Sequence, residues 1–222
     1  MSKPVVVVVG FNVAPTIQGL LKKIPVDLDV IAVDDGSTDR GFEGLPERVV
    51  TLRHSKNRGY GAAQKTGYAE AISQGADRIV LVHGDDQYHL DDCLGLLEAL
   101  EHADVALGSR FLMPDKGQII PWWRRFSNRG LTGLANQKLG LSLTDMHTGA
   151  RAFRVSALQK VQFERFSDNY VFDQQMLVAA AKAGLGFAER PQRTRYDDEI
   201  QSISVCASIR YGLGCVRTIL VS

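Results

Sequence analysis

Short runs of β-branched and other apolar residues alternate along the chain with stretches whose apolar positions recur every three or four residues. That is the pattern of a mostly parallel sheet covered by helices on both faces. Val5–Val9 predicts a first strand, Leu28–Val33 a second and Arg48–Leu52 a third. Between the first two, Ile17, Leu20, Leu21 and Ile24 share one helical face, with Pro15 suited to the first turn and Pro25 to the stop. Tyr60–Gln74 reads as a helix closed by Gly75, Arg78–Val82 as a strand, Leu90–Leu100 as a helix and Asp104–Leu107 as a strand. Beyond Gly108 the rhythm loosens: Trp123–Leu139 is helical, Ala150–Arg154 extended, Phe172–Ala183 helical with Gly184 behind it, and Gly186–Arg190 extended. Finally Val205, Ile209, Leu213, Val216 and Leu220 mark one face of a last helix, interrupted by Gly212 and Gly214.

Composition narrows the class of molecule. The chain has 222 residues, 45% hydrophobic and 23% charged, which is enough apolar material for one core and argues against disorder. Lys+Arg 26 against Asp+Glu 25 leaves a net charge of +1, so nothing drives the protein toward nucleic acid. Cys93, Cys206 and Cys215 form no C-x-x-C pair and leave an odd thiol, which fits small core residues in a reducing, cytoplasmic setting. Val5–Val9 is far shorter than the roughly 18 apolar residues of a membrane span, and no other segment is longer and as apolar. The segment Arg210–Arg217 is amphipathic, suited to core packing, to peripheral contact with a membrane surface, or to a second copy of the chain in a homodimer.

Candidate chemistry lies after the strands, because ligands of open parallel sheets bind beyond the strands' carboxyl ends. The second strand runs into Val33-Asp34-Asp35-Gly36-Ser37-Thr38-Asp39, where a carboxylate would accept from a base or ribose and the glycine allows close backbone approach. The same residues would also serve as an acidic turn capping a short helix. The fourth strand runs into His83-Gly84-Asp85-Asp86-Gln87-Tyr88, an imidazole, carboxylates and an amide within a few positions. That set suits a divalent cation neutralising a diphosphate leaving group, or simply a polar turn before the next helix.

Together with Asn57-Arg58-Gly59-Tyr60-Gly61-Ala62-Ala63, these segments resemble glycosyltransferase family 2, and within it the dolichyl-phosphate mannose synthase-like branch. The family's V-D-D-G-S-x-D and N-x-G-x-G-A-A are intact, and its first-strand P-A-Y-N-E is similar to Val9-Gly10-Phe11-Asn12-Val13. Its D-A-D-G-Q-H is similar to His83–Tyr88, and its L-G-S-R-F to Leu107–Phe111. Asn128-Arg129, Thr148–Phe153, Phe172-Asp173, Arg195-Tyr196 and Ser202-Ile203 follow in family order. The resemblance implies an α/β fold of the GT-A type, with a Rossmann-like, mostly parallel central sheet flanked by helices. It implies one domain over residues 1–222, with a nucleotide-binding half of about 1–110 and an acceptor-side half of about 111–222.

On the matching positions the resemblance implies that Phe11, Asn12, Asp34, Asp35, Gly36, Asn57, Gly59, Gly84 and Asp85 hold a UDP- or GDP-sugar, and that His83, Asp85 and Gln87 bind the metal. Arg110 with Arg124 or Arg125 would meet phosphates, since a planar guanidinium grips phosphate oxygens in pairs. Two positions depart from the family: Val13 replaces an acidic residue and His83 replaces the first aspartate of the metal motif. Imidazole suits manganese better than magnesium, so Mn2+ is expected to be favoured over Mg2+. The implied reaction is an inverting sugar transfer, for which a polyprenyl-phosphate acceptor needs no general base. A hydroxyl acceptor would need one, and Asp145, Asp173 and Glu199 are the candidates, Asp173 first.

Other classes fit less well. A nucleotidylyltransferase would want a glycine-rich basic loop after the first strand, and a Rossmann dehydrogenase a G-x-G-x-x-G there; Gly10–Ala14 supplies neither. A nucleotide-sugar-binding protein that has lost catalysis through Val13 and His83 would still bind nucleotide diphosphate but transfer nothing.

Overall fold

A computed structural model describes residues 3–113, 122–195 and 205–221, with backbone alone at 122–124 and 205–209. Seven strands form one sheet: β1 (Pro4–Gly10), β2 (Asp29–Asp34), β3 (Val49–Arg53), β4 (Arg78–His83), β5 (Val105–Ser109), β6 (Arg151–Arg154) and β7 (Phe187–Pro191), in the order β3-β2-β1-β4-β6-β5-β7. All neighbours are parallel except β6, which runs antiparallel to both β4 and β5. The sheet therefore takes strands from both halves of the chain, with β6 of the second half inserted between two strands of the first.

The helices are α1 (Ile17–Lys23), α2 (Tyr60–Ser73), α3 (Leu90–Leu94), α4 (Leu96–Ala99), α5 (Trp122–Leu139), α6 (Val155–Val161), α7 (Val171–Lys182) and α8 (Val205–Leu220). The unbroken valine run of β1 follows from burial on both faces. Val5, Val7 and Val9 enter one core with Tyr68 of α2 and Phe172 and Met176 of α7, while Val6 and Val8 enter the other with Leu20 of α1 and Leu96 of α4.

Four local expectations change. The helix expected over Leu90–Leu100 is two short pieces separated by Gly95, whose ψ of −17° is off the α-helical value. The first helix starts at Ile17, because residues 14–16 form a turn in which the Thr16 hydroxyl donates to Gly84 O at 2.7 Å. α6 occupies a stretch to which the periodicity assigns no element, and it ends where Gln162 adopts φ 54°. In α8 the side chains of Val205 and Ile209 lie outside the described residues, and among residues 210–220 Cys215 and Ile219 are buried whereas Leu213 and Leu220 are exposed. The helix is rolled so that Gly214 meets Val171 of α7: a Cβ at Gly214 would lie 2.6 Å from Val171 Cγ2.

The sheet order turns around at β1, which has β2 on one side and β4 on the other. The crevice beyond the carboxyl ends of β1 and β4 is therefore the topological switch point, the usual ligand place in such sheets. Among the described residues no helix is long and apolar enough to cross a membrane.

Candidate functional site

At the end of β2 both carboxylates turn inward. Asp34 Oδ1 accepts the Ser37 N–H at 2.7 Å and Oδ2 lies 3.3 Å from Arg53 Nε. Asp35 Oδ1 meets His54 Nδ1 at 2.6 Å and the Arg58 N–H at 2.9 Å, while Oδ2 accepts the Gly59 N–H at 2.9 Å. Asp35 thus ties the acidic loop to the Asn57–Gly59 loop. Gly36 sits between them at φ +77°, where a Cβ would lie 2.4 Å from the Lys56 carbonyl carbon. That approach explains the glycine. Asn12, also at positive φ, donates its N–H to Ser37 Oγ and accepts the Thr38 N–H, clamping the β1 loop to the β2 loop. Phe11 and Asn57 are exposed at this rim. Val13 points the other way, into the core beside Phe42.

At the end of β4, Gly84 N–H donates to Val9 O at 2.8 Å, which closes β4 against β1. Asp85 Oδ1 accepts the Gln87 N–H at 3.0 Å. Asp86, at φ 53°, pairs instead with Lys23 at 2.9 Å and Arg195 at 3.0 Å. The His83 ring is wedged edge-on between Tyr60 and Tyr88, and a Cβ on Gly149 would come within 2.4 Å of its Cε1. Burial lowers the His83 pKa from the usual imidazole value, with Asp85 and Asp173 pulling the other way.

From His83 a buried chain of polar groups runs across to α7. His83 Nε2 lies 3.0 Å from the Tyr60 hydroxyl, which donates to Asp173 Oδ2 at 3.1 Å. Gln64 donates to Asp173 Oδ1 at 3.0 Å and accepts from the Tyr68 hydroxyl at 2.7 Å. Arg151, 1% exposed, lies 3.6 Å from Asp173 Oδ2 and donates to the carbonyls of Thr148, Met146 and Asp173. Both oxygens of Asp173 are therefore engaged. Tyr60 opens α2, and Tyr170, just before α7, stacks on it at 5.2 Å. Burial raises the Tyr170 pKa, and the charges of Asp85 and Asp35 raise it further. The pattern of apolar positions hid Tyr60, Gln64, Tyr68 and Tyr170, because on α2 and before α7 they sit where core residues are expected. A polar tip on each of several such positions was the available signal.

Arg110 is 9% exposed and locked on Asp145, its Nε 2.7 Å from Oδ2 and its Nη2 3.0 Å from Oδ1, with Nη2 also donating to His147 O. His147 Nδ1 meets the Tyr211 hydroxyl at 2.9 Å. Its Nε2 is sealed from solvent without a partner among the described residues. Arg124 lies in the first turn of α5 with its side chain outside the described residues, as is the whole of Glu199.

Among the described residues no three His, Cys, Asp or Glu side chains gather into a self-sufficient metal cage. The donor set still fits a cation shared with a diphosphate. Magnesium-like ions are commonly held by one or two carboxylates plus substrate phosphates, and Asp85 keeps Oδ2 without a hydrogen bond among the described residues. His83 and Gln87 stand two positions either side of Asp85 on the same strand end and loop.

Comparison with known proteins accords with this geometry. The chain is 32% identical over 198 residues to an uncharacterized protein of Methanocaldococcus jannaschii, covering 87% of this chain and 82% of that one. It is 27% identical over 190 residues to a UDP-N-acetylglucosamine–dolichyl-phosphate N-acetylglucosaminyltransferase of Methanococcus voltae, 77% of this chain and 76% of the relative. It is 28% identical over 184 residues to an undecaprenyl-phosphate mannosyltransferase of Micrococcus luteus, 80% and 76%. Its fold superposes on glucosyl-3-phosphoglycerate synthase of Mycobacterium tuberculosis, crystallised with Mn2+, UDP and glucosyl-3-phosphoglycerate, with a TM-score of 0.69 at 17% identity over 99% of this chain and 79% of that one. The fold is of the GT-A type and the enzyme is a nucleotide-sugar-dependent glycosyltransferase. With the profile described as Glycosyl transferase family 2 matching residues 5–162, the chain belongs to that family.

Proposed function

We propose that this glycosyltransferase moves a sugar, with inversion, from a UDP- or GDP-sugar to a polyprenyl phosphate. The observation that carries the reading is the state of the carboxylates. A hydroxyl acceptor needs a base, and of the candidates among the described residues Asp145 is fully buried on Arg110 and Asp173 is spent on Tyr60, Gln64 and Arg151, while Glu199 lies outside the described residues. A phosphate oxygen is already anionic near neutral pH and attacks without losing a proton. The names of the relatives from Methanococcus voltae and Micrococcus luteus, both polyprenyl-phosphate glycosyltransferases, support the same acceptor.

In this reading the exposed Phe11 ring stacks on the base, while Asn12, Asp34, Asp35, Gly36, Asn57 and Gly59 shape the nucleoside pocket. Asp35 does so by holding the Arg58 and Gly59 backbone. Gly84 and Asp85 bring the β4 loop to the diphosphate, where Asp85, His83 and Gln87 would hold a divalent cation. A bound cation would neutralise charge on the departing nucleoside diphosphate. Arg124, together with Arg110 held on Asp145, would orient the anionic acceptor. The outer face of α8, with Arg210, Leu213, Arg217 and Leu220 exposed, supports peripheral contact with the membrane that carries such an acceptor.

The test is a transfer assay with labelled UDP- and GDP-sugars, offered a polyprenyl phosphate or the corresponding polyprenol in the same detergent. Product is expected from the phosphate alone. Equal product from the alcohol would overturn the acceptor assignment.

A further inference from the structure

The hydrogen-bond chain between α7 and β4 has a direction. A tyrosine hydroxyl carries one proton, and here it is aimed at Asp173, which also accepts from Gln64 and faces the Arg151 guanidinium. The Tyr60 proton therefore goes to Asp173 Oδ2 at 3.1 Å, and the Tyr60 oxygen is left to accept from His83 Nε2 at 3.0 Å. The ring cannot turn over to exchange its nitrogens. Tyr60 and Tyr88 meet its faces and edges at centroid distances of 5.4 and 5.1 Å, and the Nε2–Cε1 edge lies against Gly149, where a Cβ would reach to 2.7 Å from Nε2. Tyr60 is itself held by the Tyr170 ring stacked on it.

We propose that Tyr60 and Asp173 are positioning residues that fix His83 with its proton on Nε2 and its lone pair on Nδ1, the nitrogen that the donor-site reading would give to the cation. The chain Asp173–Tyr60–His83 then plays the part that an outer carboxylate plays behind a metal-bound imidazole: it sets the tautomer, locks the ring plane and raises the basicity of the free nitrogen. It gives Asp173 a task that needs no contact with the acceptor. The link to a cation rests on the donor-site reading above, whereas the tautomer does not.

The experiment is long-range proton–nitrogen correlation NMR on the full chain labelled with 15N-histidine, His83 being assigned by the signal lost in His83→Gln. Wild type is expected to show a single form, protonated at Nε2 and unprotonated at Nδ1. Tyr60→Phe is expected to give a mixture of both tautomers, and Tyr170→Phe, which keeps the ring and the chain, to leave the single form. A wild-type ring protonated at Nδ1, or Tyr60→Phe indistinguishable from wild type, would overturn the proposal. Wild type alone decides the first point, so the outcome survives a variant that fails to fold. Mn2+ added with UDP is expected to broaden the Nδ1 signal, and Tyr60→Phe to weaken Mn2+ binding in the presence of UDP by about tenfold. Absence of broadening while calorimetry still records UDP binding removes the role of Nδ1 and leaves the donor site standing. Absence of UDP binding itself counts against the donor site and not against the tautomer.

Discussion

Single residues in this chain are held by close approaches that the sequence names only as motif letters. Gly36 shows the size of the effect. Alanine there would have to keep φ near +77° and place its Cβ 2.4 Å from the Lys56 carbonyl carbon. Left-handed backbone alone costs a side chain about 1–2 kcal/mol, and the clash is with main chain that Asp35 fastens through Arg58 and Gly59. Gly36→Ala is expected to lower stability by about 2 kcal/mol or more in urea titration; a change of a few tenths would mean the two loops are not in contact. His147 makes a second case, in pH. Burial holds its pKa down to about 4 from 6.5, with Asp145 opposing and Arg151 and Arg110 adding to the shift. The unfolded chain takes up a proton below 6.5 that folded His147 refuses until about 4. Its contribution to stability is thus complete above that upper value, falls as pH drops between the two, and is constant below. Between pH 7 and pH 5 the loss is about 2 kcal/mol by linkage. His147→Gln, which keeps a partner for Tyr211, is expected to flatten that part of the stability profile, and an unchanged slope in urea titrations at the two pH values would refute it.

At the level of elements, the loops are tied to helices rather than left to themselves. The N-terminus of α2 is closed by a carbonyl: Asp168 O accepts from the N–H groups of Gly61 and Ala62 at 2.8 and 3.2 Å. This fixes the approach to α7 and carries Tyr170 onto Tyr60. The last helix is set by its glycines, and they do different things. Gly212 has nothing within 4 Å of a would-be Cβ, whereas Gly214 faces Val171 at 2.6 Å. Alanine at an open helical position relieves the glycine penalty of about 0.5–1 kcal/mol. Gly212→Ala is therefore expected to raise the Tm, and Gly214→Ala to lower it, because β-branched Val171 cannot swing aside freely. Shifts of the same sign would show that α8 does not cross α7 at Gly214. The roll of α8 also explains why its apolar pattern misled: Leu213 belongs to the expected core face, but the crossing demands the smallest side chain inward, and that turns Leu213 out.

Over the whole molecule, what the sequence made legible was whatever local pattern determines. Strands β1 to β4 and helix α2 fall close to where periodicity puts them, and the ends of β1, β2 and β4 meet because parallel sheets gather their carboxyl ends. The insertion of β6 between β4 and β5 was not legible, since pairing across the sheet depends on contacts far apart in sequence. The same holds for the long-range partners of the site residues: Tyr60 with Asp173, Asp35 with His54, Arg110 with Asp145. Asp85 keeps one oxygen without a hydrogen bond among the described residues, whereas Asp86 beside it is paired with Lys23 and Arg195. If a cation bridges Asp85 and the diphosphate, UDP and cation must bind together better than either does alone, because each supplies ligands or charge the other lacks. Thermal denaturation is expected to show a larger Tm rise with UDP and Mn2+ together than the sum of the separate rises, approaching the equivalent of about 2.7 kcal/mol at a hundredfold excess over Kd. Asp85→Asn should abolish the excess and keep the rise due to UDP alone. His83→Asp should shift the excess from manganese toward magnesium, since it restores a hard oxygen ligand and one negative charge where an imidazole now stands. Additive rises in the wild type would remove the bridging cation, while a synergy that both variants retain would move it away from β4.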